Sequence, residues 1–141
     1  MKHIYYISSD ILDLAPIREI IEKDMKLALS EEARLNVIKS HKYLVNKMKV
    51  NDSPIYGINT GFGSLCNVEI SSDNLSKLQE NLVLSHACGT GELVPKGIIR
   101  LMLLLKIQSL CYGNSGVQLE TVERLVDLFN HDILPVIYTQ G

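Results

Sequence analysis

The residues with the most chemical promise are one tyrosine, one histidine and a group of glycines. Tyr56 heads the run Tyr-Gly-Ile-Asn-Thr-Gly-Phe-Gly, with Gly57, Gly61 and Gly63 spaced along it. Glycine inside a helix costs about 1 kcal/mol relative to alanine, so this run reads as a loop that uses positive φ and close backbone approach. Pro54 fixes its entry and Phe62 can pin its tail. A single phenol presented on such a loop suits a catalytic group on a lid. Phenols titrate near about 10, so a tyrosine base at neutral pH needs its phenolate stabilised by N–H groups or a positive field. The plainer reading of the same glycines is a surface turn between two helices. His86 sits near the end of a predicted helix, just ahead of Gly89-Thr90-Gly91, with Ser85 beside it. Position alone favours a helix-end histidine over a ligand, and Ser85 could bond back to its own helix.

Other constellations fall away. Gly89-Thr90-Gly91-Glu92 lacks the strand and helix start that a phosphate cradle requires. Cys66, Cys88 and Cys111 are odd in number, far apart and without a Cys-x-x-Cys, so they read as reduced, partly buried thiols. His3, His41, His86 and His131 show no metal-binding spacing, and no metal is expected. No Ser/His/Asp set and no carboxylate pair emerges.

These side chains need helices to hold them. Pro16 suits the first turn of a helix with Ile17, Ile20, Ile21 and Met25 on one face. Ser30 is the expected N-cap of a long helix to about Lys49, with Glu31 and Glu32 against its positive end. Ser71-Ser72-Asp73 should open the helix carrying Leu75, Leu78, Leu82, Ser85 and His86. Pro95 should open another, apolar nearly all round from Ile98 to Cys111 and therefore buried on most sides, with Arg100 and Lys106 snorkelling to its surface. Gly113-Asn114-Ser115-Gly116 breaks it and permits close packing; a last helix carries Leu119, Val122, Leu125, Val126 and Phe129. Ile4 to Ile7 reads as one strand of a short N-terminal β-hairpin, and Leu27 to Leu29 as extended. The fold class is mainly α, one domain by length.

At 141 residues with 46% apolar and 21% charged composition and a net charge of −2, the chain has no basic field for nucleic acid. No membrane partner is expected, because Arg100, Lys106 and Gln108 interrupt the most apolar stretch well short of the roughly 20 residues that span a bilayer. Ser8, Ser9 and Asp10 break the first apolar run too early for a secretory signal, so a soluble cytoplasmic protein is expected. Gln140-Gly141 carries no capping signal, and the chain reads as cut off there.

Four motifs in order resemble the aromatic amino acid ammonia-lyases. Residues 56–63 match that family's Tyr-Gly-x-x-Thr-Gly-Phe-Gly loop, and Leu78-Gln79-Glu80-Asn81-Leu82 through Gly89 matches its Leu-Gln-x-Asn-Leu helix. Arg100-Leu101-Met102 through Gly113-Asn114-Ser115-Gly116-Val117 is similar to its buried helix and Gly-x-Ser-Gly-Val turn, and Ile133-Leu134-Pro135 to Gly141 to the segment before its cofactor. Ser85-His86 occupies the two positions that differ by substrate and points to the branch acting on L-histidine. The resemblance implies the N-terminal part of a fumarase/aspartase-like helical fold, residues 1–141, with the central bundle starting near residue 95. It implies Tyr56 as catalytic base, His86 and more weakly Ser85 as substrate-binding, and Gly57, Gly61 and Gly63 as loop hinges. The family's cofactor is MIO, 4-methylidene-imidazol-5-one, built from an Ala-Ser-Gly triad; no such triad occurs in this sequence, so none would form in this chain and the isolated chain is expected to be inactive. For the complete enzyme the resemblance implies a homotetramer that turns L-histidine into urocanate and ammonia. Two other readings stand beside it: a tyrosine or phenylalanine lyase or aminomutase segment, and a non-catalytic helical assembly module.

Overall fold

A computed structural model describes residues 3–50, 55–60 and 75–140. Its elements run β1 (Ile4–Ile7), α1 (Leu14–Glu22), β2 (Lys26–Leu29), α2 (Glu31–Val50), α3 (Leu75–His86), β3 (Thr90–Leu93), α4 (Lys96–Cys111), α5 (Leu119–Asn130) and β4 (Tyr138–Gln140). The described residues are mainly helical, as the apolar periodicity predicts. They divide into two compact units, one of Met1–Met48 with Leu93–Ile137, the other of Lys49–Glu92 with Tyr138–Gly141.

In the first unit the expected hairpin is replaced by a parallel pair. β1 and β2 run side by side in the same direction, Ile4 opposite Lys26 through Ile7 opposite Leu29. The physical reason is α1: parallel strands need a crossover rather than a tight turn, and the helix between them supplies it. Burying the Ile20 side of α1 brings the chain back to begin β2 level with the start of β1. Pro16 lies in the first turn of α1, where its missing N–H is not needed.

Ser30 caps α2 as its type predicts, its Oγ accepting the Ala33 N–H at 3.1 Å. Glu31 and Glu32 fill the first turn behind it. The core joins Ile7, Ile20, Leu27, Leu29, Ala33 and Val37 to Leu104, Ile107, Cys111, Val122 and Phe129, so every element of this unit contributes. Burial pushes the Cys111 thiol up to about 11, which keeps it protonated and unreactive. Cys88 is exposed, and neither it nor Cys111 is in a disulfide; Cys66 lies outside the described residues.

α4 departs from its expectation. Ile99, Leu103, Leu104, Ile107, Leu110 and Cys111 are buried, but Ile98, Met102 and Leu105 are exposed. The helix is therefore covered on one side, and its remaining apolar residues form a bare stripe at helical spacing. Arg100 does not snorkel either. Its guanidinium lies 4.0 Å above the Phe129 ring and donates to Phe129 O at 3.2 Å, Asp132 at 3.2 Å and Asp24 at 2.8 Å. The turn after α4 packs tightly, as its glycines predict: a Cβ on Gly113, at φ +73°, would come within 2.8 Å of Asn36 O. On the same turn Gly116 donates its N–H to Ser40 Oγ at 3.0 Å, and its carbonyl meets His41 Nδ1 at 2.9 Å.

The second unit holds α3, most of β3, and β4, which pairs with β3 in a two-stranded sheet. Where the glycines at 89–91 predict only a stop and a turn, the chain passes directly into β3. Gly89 is needed there for space, since a Cβ would lie 2.8 Å from the Tyr138 ring. No helix among the described residues is long and apolar enough to cross a membrane.

Candidate active site

Tyr56 sits on a closed turn of the second unit. The Ile58 and Asn59 N–H groups both donate to Ile55 O, at 3.0 and 3.2 Å. Gly57 follows the tyrosine at φ +76°, a left-handed conformation that favours glycine and that a turn of this kind needs at its third position. Tyr56 is 64% exposed, whereas Thr60, four residues on, is buried. The loop thus carries one side chain inward and the phenol outward. Gly61 and Gly63 lie outside the described residues.

Ser85 and His86 occupy the last turn of α3 in the same unit, both exposed. His86 Nδ1 lies 2.9 Å from Leu82 O and 3.0 Å from Ser85 Oγ, while Ser85 Oγ donates to Leu82 O at 3.2 Å. A carbonyl oxygen only accepts, so Nδ1 carries the proton and the Ser85 hydroxyl oxygen can share it. The neutral ring then offers Nε2 as an acceptor. His131 at the end of α5 makes the same contact with Asp127 O at 2.8 Å, so the lock comes from a histidine's place at a helix end. In a nitrogen-15 spectrum of the labelled chain, His86 is expected as the Nδ1–H form at a pH where the ring is neutral. An Nε2–H signature would contradict this hydrogen-bond assignment.

Ser85 and His86 are therefore brought together, and Tyr56 stands on a separate segment of the same compact unit. Open depressions of about 750 Å³ along α1 and about 480 Å³ beside Tyr43 and Tyr112 belong to the first unit, and none of the candidate residues lines them. Among the described residues no cluster of His, Cys, Asp or Glu could hold a metal ion. Sequence reasoning passed over Asn59, whose side-chain oxygen accepts the Ile55 N–H at 2.6 Å. The readable signal was an asparagine among glycines, a residue type that closes turns with its own side chain.

The aromatic amino acid lyase family model matches residues 12–141. The chain belongs to the aromatic amino acid lyase family. This lyase chain is 44% identical over 141 residues to a histidine ammonia-lyase of Legionella pneumophila (strain Paris), covering 100% of itself and 28% of that protein. It is 42% identical over 130 residues to a histidine ammonia-lyase of Deinococcus radiodurans, covering 92% of itself and 25% of that protein. Histidine ammonia-lyase from Trypanosoma cruzi shares its fold with a TM-score of 0.80 at 30% identity, over 99% of this chain and 26% of that one. Tyrosine aminomutase from Streptomyces globisporus does so with a TM-score of 0.88 at 26% identity, over 100% and 26%. The lyase chain thus spans about a quarter of the length of the curated relatives it matches, and its helical fold is that of the lyases and aminomutases.

Proposed function

We propose that this lyase chain supplies the base and the ring contact of an enzyme that eliminates ammonia from L-histidine to give urocanate. The observation that carries the reading is the 44% identity to a histidine ammonia-lyase along the whole chain. Within that reading Tyr56 takes the β-proton of the substrate. That proton is barely acidic, so the base must be close and its phenolate stabilised before the carbon will release it. An exposed phenol on a glycine turn can be carried over a bound substrate and can shut water out behind it. His86 meets the substrate ring, and its Nε2 acceptor matches an imidazole N–H. Ser85 serves as the weaker second contact.

MIO is the electrophile implied by the family. The 141 residues contain no Ala-Ser-Gly from which to build it, so the chain's own residues do not fit that group and its part is limited to proton removal and ring recognition. Alone, in this reading, the chain turns over nothing. The complete enzyme would be a cytoplasmic homotetramer acting on L-histidine.

The test is a chimaera in which this chain replaces the matched region of the Legionella pneumophila enzyme. Conversion of L-histidine to urocanate, followed by absorbance, is the expected result, and His86→Leu in the chimaera should move preference towards phenylalanine or tyrosine. A chimaera that prefers those substrates before any substitution overturns the histidine reading. The likeness to tyrosine aminomutase favours a second reading, in which the same segment serves isomerisation of an aromatic amino acid. A β-amino acid among the products would select it.

A further inference from the structure

We infer that Asn59 is a positioning residue for Tyr56, holding closed the turn that aims the phenol. The inference rests on the reading of Tyr56 as base. Asn59 grips both backbone polar groups of Ile55: its Oδ1 accepts the Ile55 N–H at 2.6 Å, and its own N–H donates to Ile55 O at 3.2 Å. A backbone N–H must meet an acceptor, which identifies the side-chain atom as the oxygen. Tyr56, Gly57 and Ile58 lie inside the loop that these two bonds close. Gly57 would otherwise leave the segment loose, because glycine reaches positive and negative φ with nearly equal ease. Tyr56 itself is 64% exposed. The backbone beneath it carries the phenol, and the Asn59 side chain holds that backbone at its first residue.

Loss of this clamp acts on the proton-transfer step more than on substrate binding. A misplacement of about 1 Å costs on the order of 10²-fold in rate, so Asn59→Ala in the chimaera should lower kcat by roughly 10–10²-fold with KM nearly unchanged. Asn59→Asp keeps the acceptor oxygen and should recover most of the rate. It is compared on the alkaline plateau of its pH profile, because the added charge disfavours a neighbouring phenolate. In the Tyr56→Phe background, Asn59→Ala should cost nothing further, since a positioning residue has nothing left to position.

The outcomes separate cleanly. Full kcat in Tyr56→Phe overturns the base reading itself. A large loss in Tyr56→Phe with an unchanged Asn59→Ala, or losses that multiply in the double variant, overturns the clamp alone. An Asn59→Asp as slow as Asn59→Ala does so as well. Should Asn59→Ala not fold, Asn59→Leu preserves the volume without the acceptor and is expected to show the same kcat loss.

Discussion

Replacing Tyr56 by Phe in the chimaera should, if Tyr56 is the proposed base, lower kcat on L-histidine by roughly 10²–10⁴-fold, the range typical of a lost general base. The substitution removes one oxygen and leaves the ring. Tyr56 is 64% exposed and outside the buried core, so stability should change by less than about 0.5 kcal/mol. KM should stay within a few-fold, because in the proposed role the hydroxyl acts on the carbon that loses its proton and not on the groups that hold the substrate. The measurement is steady-state urocanate formation beside a thermal melt. A slow, well-folded variant with near-normal KM supports the base. A variant that is slow because it melts early would instead make Tyr56 a structural tyrosine. A fast one would return the glycine run to the plainer reading of a surface turn. The substitution leaves Gly57's left-handed φ and the two Asn59–Ile55 bonds untouched, so Phe should sit where Tyr sat.

What the sequence made legible was local. Ser30 followed by two glutamates announces a helix start because a hydroxyl and a dipole act within one turn, and the Ser30–Ala33 bond is there. The stripe Leu119, Val122, Leu125, Val126 and Phe129 announces the inner face of α5; Val122, Val126 and Phe129 are buried there, and Leu119 and Leu125 pack partly buried against the same core. Tyr56, Ser85 and His86 stood out by type and by resemblance, and all three are exposed, one on a turn and two at a helix end. What stayed illegible was bonding across long separations. Asn130, the last residue of α5, takes the Leu27 N–H on Oδ1 at 2.7 Å and returns its amide to Leu27 O at 2.8 Å, extending β2 as a strand would. Gln108, read as an interruption of an apolar helix, is buried and donates to Ser8 O and Asp10 O at 3.0 Å each. Nothing in the periodicity of either helix indicates such partners. The hairpin error has the same origin, since a four-residue apolar run declares a strand but not the direction of its neighbour.

Phe129→Ala should be the most damaging single change in the first unit, costing about 3–5 kcal/mol by the usual scale for a buried phenylalanine. The side chain is fully buried in the core that also holds Ile7, Ile20, Leu104 and Val122, so its removal leaves a cavity as well as losing transfer energy. It also takes away the surface on which Arg100 lies, and a cation over an aromatic face is worth about 0.5–2 kcal/mol. Arg100 itself should matter less. Its carboxylate partners Asp24 and Asp132 are 55% and 64% exposed, and pairs so open to water contribute roughly 0–1 kcal/mol. Packing therefore outranks charge in this cluster. Against a total stability of about 5–15 kcal/mol, losing Phe129 removes a large share, and the urea midpoint should fall steeply. Phe129→Leu, which restores most of the volume, should cost less than half as much. Arg100→Met keeps an apolar stem over the ring and should cost less again. Equal losses in Arg100→Met and Phe129→Ala would reverse the ranking, making the guanidinium the element that ties α4 to the ends of α1 and α5.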